Sequence, residues 1–161
     1  MFKINRKVEY ALIALRHIKS AGGKLVSAKE ICDVYKTPFD TTSRVLQIMA
    51  QQGVLKAEHG AYGGYELIKN LSQLSFLELV EMIVGPIKIA NCFSGDYSYC
   101  EVTASCNVIA PMLNLNERMS RLFQTINVAE LLESRHQHDR IIKEKYIEKY
   151  QSATSNIKEG T

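Results

Sequence analysis

Cys92, Cys100 and Cys106 lie within fifteen residues, spaced C-x7-C-x5-C, and are the part of the chain best equipped for chemistry. Thiolates are soft donors. Three on one segment are the wrong number for closed disulfide pairing, but they suit a metal ion or an iron–sulfur cluster that draws one more ligand from elsewhere. The segment that carries them, Pro86 to Cys106, has no apolar periodicity, and a long periodic segment follows it directly. The fourth cysteine, Cys32, sits beside Ile31 in a short helical stretch and reads as a small core hydrophobe. There is no P-loop, dinucleotide fingerprint or nucleophile motif, so no catalytic residue is assigned and an enzyme is not expected.

The first seventy residues must position whatever these thiols control. Val8, Ala11, Leu12, Leu15 and Ile18 recur at helical spacing up to Ser20, and Gly22-Gly23 stops the helix. Lys24–Val26 is a short extended piece. Ser27-x-x-Glu30 has the form of a capping box for a second helix ending near Tyr35, with Ile31 and Val34 inward. Thr37-Pro38 marks a turn into a third helix, from about Pro38 to Gln52, burying Val45, Leu46 and Met49 and closed by Gly53. Two short strands, Val54–Ala57 and Tyr65–Ile68, flank the glycine-rich tip His59–Gly64. Helix, strand, helix, turn, helix and hairpin are the order of a winged helix-turn-helix. Ser75 caps a fourth helix, Phe76 to Val84, ended by Gly85-Pro86.

A winged helix points to nucleic acid, and the charge agrees. Residues 1–70 carry 11 Lys/Arg and 6 Asp/Glu, a net of +5, whereas residues 71–161 carry 9 and 11, a net of −2. The start of the third helix would enter the major groove with Asp40, Thr41, Ser43 and Arg44, and Gln47 follows one turn on. Arg44 suits a guanine edge; Asp40 could accept from cytosine or simply cap its helix. Lys3, Arg6 and Lys7 before the first helix, and Lys56 and His59 beside the wing, are phosphate candidates. Gly60, Tyr62 and Gly63 complete the expected wing contact, with Gly60, Gly63 and Gly64 letting its backbone approach a groove.

Beyond the cysteines, Val108, Met112, Leu115, Met119, Leu122 and Ile126 fall at spacings of 4, 3, 4, 3 and 4, a coiled-coil seam. Pro111 is tolerable only in a first turn, so the helix starts near Ala110. A single seam would leave its apolar side chains wet, and the same helix from a second copy covers them in a symmetric dimer; packing on its own domain is the alternative. Asn127 can restart a turn through Leu132.

The expected fold is thus mainly α with a small β-hairpin wing. A DNA-binding domain spans 1–85, a cysteine segment 86–107 and a dimerisation helix region 108–132. Residues 133–161 form a polar tail, partly disordered, with a marginal helical pattern at Ile141, Ile142, Tyr146, Ile147 and Tyr150. With no long apolar run and no secretory signal, a cytoplasmic protein with reduced thiols is expected.

Residues 1–132 resemble the winged-helix family of iron–sulfur transcription regulators that includes the IscR, NsrR and RirA types. The resemblance is carried by Glu9-Tyr10-Ala11 on the opening helix, the helix-turn-helix, the wing Gly60-x-x-Gly63-Gly64-Tyr65, the helix ending at Gly85, the three cysteines and the helix after them. It implies a homodimer on a palindromic operator, probing iron–sulfur status, redox state or nitric oxide, usually as a repressor. It also implies that Cys92, Cys100 and Cys106 ligate the cluster. The histidine that IscR-like members place three residues after the last cysteine is Ile109 here, which cannot ligate. NsrR-like members use an acidic residue of the partner subunit near the N-terminus, a place that falls on Glu9 and implies a four-iron rather than a two-iron cluster. Asp96, His59, His136, His138 or an external ligand are the other options. Zinc or thiol oxidation in place of a cluster, an electron carrier, and a winged helix used for protein contacts are the competing readings.

Overall fold

The computed structural model describes residues 3–60, 62–90, 100, 102 and 105–133. The chain divides into two units, Met1–Leu131 and Leu132–Thr161, and nearly everything described belongs to the first. The expected tail helix and Cys92 lie outside the described residues.

Helix α1, Arg6–Ser20, is capped by Asn5, whose side chain accepts from the Lys7 amide at 2.9 Å. It buries Val8, Ala11, Ala14, Leu15 and Ile18. Helix α2, Ala28–Tyr35, starts at Ser27, whose hydroxyl accepts from the Glu30 amide. Ile31 is fully buried, but Val34, expected beside it, is exposed: three residues past Ile31 on an eight-residue helix, it has already rotated off the narrow inward face. His17 ties the two helices, with Nε2 3.0 Å from Glu30 Oε1 and Nδ1 3.2 Å from the Tyr35 hydroxyl.

Helix α3, Phe39–Gln51, buries Thr42, Val45, Leu46 and Met49 against α1 and α2. Gly53, at φ +69°, closes it: the Val54 amide donates to Met49 and the Gly53 amide to Ala50, the two bonds of a Schellman end. The wing follows as β1, Leu55–Glu58, paired antiparallel with β2, Gly64–Leu67, in the register Leu55 with Leu67 through Glu58 with Gly64. The extended piece before α2 reduces to one bridge, in which Val26 exchanges both backbone bonds with Tyr65.

A single 3-10 turn, Leu71–Gln73, leads into α4, Phe76–Val84. Ser75 and Glu78 form a complete capping box: the Glu78 amide donates to Ser75 Oγ, and Glu78 Oε2 accepts from the Ser75 amide at 2.8 Å. Phe76, Leu79, Val80 and Ile83 face in. Helix α5, Ile109–Thr125, holds Pro111 in its first turn, where no helical hydrogen bond is lost. It rests on α4, with Phe123 edge-on to Phe76 at 5.1 Å between ring centroids. Its C-terminal end returns to the start of α4: the Phe76 amide donates to Ile126 and the Val128 amide to Leu74. Asn127 then caps α6, Val128–Glu133, accepting from the Glu130 amide at 2.8 Å.

Candidate nucleic-acid interface and cysteine segment

One face of α3 is core and the opposite face is solvent. Asp40, Arg44 and Gln47 stand on the exposed ridge, and Thr41 is half-buried beside it. Lys7 reaches this ridge from α1. It shares with Asp40, Thr41, Arg44, Val45, Ile48 and Ile83 a groove of about 460 Å³. A cation from another element is thereby placed next to the residues expected to read bases. Arg6 is exposed at the start of α1, whereas Lys3 lines a separate cavity of about 240 Å³ among Val8, Phe76, Val80 and Phe123. Ser43 does not meet its expectation. Its hydroxyl, on the shoulder of α3 rather than its crest, is shielded from solvent and has no hydrogen-bond partner among the described residues.

In the wing, Tyr62 is 95% exposed at the tip, and His59 and Gly60 are exposed beside it. Gly60 has φ +115°, a backbone state that disfavours any side chain. The two glycines after Tyr62 are required by the wing's own packing. A Cβ on Gly63 would collide with the Glu58 carbonyl, and one on Gly64 would come within 2.8 Å of the Val26 carbonyl oxygen. Lys56 is only partly available to a phosphate, since its Nζ is 2.6 Å from Glu58 Oε1. The hydrogen bond and charge of this pair raise the Lys56 pKa and lower that of Glu58.

Two residues of this face escaped the sequence reading. Lys36 joins α2 to the turn in the left-handed conformation, φ +55°, and is exposed. Phe39, the first residue of α3, is 56% exposed. The signal for Lys36 was its place just before Thr37-Pro38, where the proline holds the preceding residue extended and the reversal must fall earlier.

The turn itself is braced from within. Thr42, buried in α3, donates its hydroxyl to Thr37 Oγ1 at 2.9 Å, and the Thr37 hydroxyl points at Cys32 Sγ at 3.6 Å. Cys32 is therefore half-buried and part of a polar chain, not the plain core residue expected from its neighbours.

Of the three clustered cysteines, Cys100 and Cys106 are described, and both are half-buried. The approach to their segment is fixed to α5 by Asn116, whose Oδ1 accepts from the Ile89 amide at 3.1 Å. Among the described residues, no group of three His, Cys, Asp or Glu side chains converges on a metal position. Glu9 is exposed in the first turn of α1. The seam of α5 splits in two. Met112, Met119 and Ile126 are half-covered, whereas Val108, Leu115 (46% exposed) and Leu122 (57% exposed) stand in solvent. No residue of α5 is buried.

Comparison with known proteins decides the family. The Rrf2 profile, described as "Iron-dependent Transcriptional regulator", matches residues 4–134. The chain belongs to the Rrf2 family. It is similar to a protein of Aquifex aeolicus described as an HTH-type transcriptional regulator, 24% identical over 132 residues, covering 81% of this chain and 92% of that one. It is also similar to the HTH-type transcriptional regulator NsrR of Shouchella clausii, 22% identical over 85 residues, 53% of this chain and 57% of the relative. Among solved structures it resembles T. potens IscR, with a TM-score of 0.60 at 16% identity over 85% of this chain and 90% of that one. CymR, the global cysteine regulator of B. subtilis, gives 0.59 at 16% identity over 84% and 100%. The protein is thus a winged-helix transcriptional regulator of a DNA-binding family, not an enzyme, and no described helix is long and apolar enough to cross a membrane.

Proposed function

We propose that this Rrf2 protein is a homodimeric repressor whose hold on a palindromic operator is set by an iron–sulfur cluster on Cys92, Cys100 and Cys106. Asp40, Thr41, Arg44 and Gln47 read the major groove, while Lys3, Arg6, Lys7, Lys56 and His59 contact phosphates. Gly60, Tyr62 and Gly63 carry the wing to the neighbouring groove. The observation that carries the DNA half is the convergence of Lys7 from α1 with Asp40, Thr41 and Arg44 on one groove. A base-reading helix beside a fixed cation supplies both halves of a specific contact, orientation on the phosphates and choice of base.

The pairing half rests on α5. Val108, Leu115 and Leu122 repeat every seven residues on the exposed side of the seam, and Met112, Met119 and Ile126 line its other edge. A second copy of α5 buries this row. The cysteine residues fit a cluster by chemistry: soft thiolates, two of them half-buried, on a segment pinned to the pairing helix by Asn116. Glu9 of the partner subunit supplies the remaining ligand through a carboxylate exposed on α1. When bound, a four-iron cluster supplies a centre that iron shortage, oxidants or nitric oxide can dismantle. Without it Glu9 would no longer tie α1 to the partner, and because α1 packs directly behind α3 that release would change the spacing of the two reading helices.

The test is anaerobic purification followed by iron and sulfide analysis, absorption spectra of the wild type and of Glu9→Ala, and operator affinity before and after chelation. Stoichiometric iron, a Glu9-dependent spectrum and a shifted affinity are expected. Iron-free protein whose operator affinity responds to a thiol oxidant would replace the cluster with cysteine oxidation, and bound zinc would replace it with a zinc site.

A further inference from the structure

Phe39 is more than half exposed at the start of α3, and its position assigns it a role. An aromatic ring 56% exposed forgoes much of the transfer free energy that burial would give it. The core face of α3 is complete without it, built from Thr42, Val45, Leu46 and Met49. Side chains on a helix tilt toward its N-terminus, so each covers the turn before its own Cα. Phe39 is the first helical residue and has no such turn beneath it, so its ring is carried past the end of α3. That end is the part of a recognition helix that meets base edges.

The helix start that carries it is held in place. Pro38, at φ −63°, sets the path into the helix, and its carbonyl accepts from the Thr42 amide at 3.0 Å. The Thr42–Thr37–Cys32 chain fixes the turn from the other side. An exposed aromatic at the start of a helix whose outer ridge carries Asp40 and Arg44 is suited to an apolar counterpart on the same ligand. Phenylalanine can neither bond a phosphate nor exchange hydrogen bonds with a base edge. The apolar group that the major groove offers is the thymine 5-methyl.

We infer that Phe39 reads a thymine methyl in each operator half-site, adding an apolar contact to the polar contacts of Asp40 and Arg44. The inference rests on the DNA-interface reading above and goes beyond it by naming the base and the atom. It makes recognition at that position depend on a methyl group at C5 rather than on a hydrogen-bonding pattern.

The test starts from a randomised duplex library, from which the full-length wild-type protein selects a site. Each thymine of the selected site is then replaced by deoxyuridine, which removes the methyl and nothing else. One thymine per half-site is expected to lose roughly fourfold in affinity per methyl, the binding ratio equivalent to one buried CH₂ at about 0.8 kcal/mol. Phe39→Ala is expected to bind the two duplexes equally and, in its own selection, to lose the thymine preference at that position. Phe39→Leu, still apolar, is expected to keep part of it. Unchanged melting of both variants separates this effect from misfolding. Wild-type affinity indifferent to every thymine-to-deoxyuridine exchange, or a Phe39→Ala protein equally sensitive to it, overturns the inference while leaving the interface standing. Failure of the wild type to select any sequence removes the interface reading and this one together.

Discussion

Helices α3 and α5 are close in length, yet they meet their surroundings in opposite ways. The thirteen residues of α3 bury Thr42, Val45, Leu46 and Met49 completely and leave a polar ridge outside. The seventeen residues of α5 bury nothing fully, and their exposed side carries leucines. The first helix is finished by its own chain and turns a polar face to solvent. The second is half-finished and turns an apolar face to solvent. The two exposed faces therefore differ in kind: charge and hydrogen-bonding groups stand on α3, unburied hydrocarbon on α5.

The contrast can be broken at either end. Replacing Leu115 and Leu122 together by Asp should weaken self-association by on the order of 10²–10⁴, since each buried leucine contributes ~1.5–3 kcal/mol. Sedimentation equilibrium would read it. If the double variant stays dimeric at the same concentration, the pairing surface lies elsewhere. Leu46→Ala removes a fully buried side chain from the finished helix and should cost about 2–5 kcal/mol in urea unfolding. Its self-association, corrected for the unfolded fraction, should not change.

On the polar ridge, Arg44→Ala should lower affinity for a selected operator by about 1–3 kcal/mol and relax the preference at one base pair. Lys7→Ala should weaken all sequences alike and reduce the salt slope by about one. If Lys7→Ala instead changes which sequence is selected, the division between positioning and reading drawn from their shared groove is wrong.

The smallest effect concerns the capping box that starts α4, the helix on which α5 rests. The Ser75 amide and hydroxyl donate to Glu78 and hold its carboxyl below the ordinary value. A lowered folded pKa means the bonus is fully present above the unfolded carboxylate value and fades as pH falls through the folded one. Glu78→Gln should therefore destabilise the protein by under about 1 kcal/mol near neutrality, discounted for its exposure. The gap between variant and wild type should close in acid, as paired melts at pH 7 and below pH 4 would show.

Much of this was legible in the sequence because periodicity and capping are local signals. Ser27, Ser75, Gly53 and Asn127 mark their helix ends as read, and the hairpin falls where alternation and glycines put it. What eluded reading depends on neighbours distant in sequence. The Ser43 hydroxyl is covered, and Gly64 is required by a backbone 38 residues earlier, at Val26. The seam was visible as a pattern, but its division into a covered edge and an open edge needed the position of α4.

The return of the chain after α5 has one more consequence. Backbone bonds from Phe76 to Ile126 and from Val128 to Leu74 fasten the start of α4 to the end of α5 at one spot. A tether held at one end would let any disturbance dissipate by swinging outward. Here the far end is nailed beside the near one, so a displacement of the end of α5 is passed directly to the start of α4.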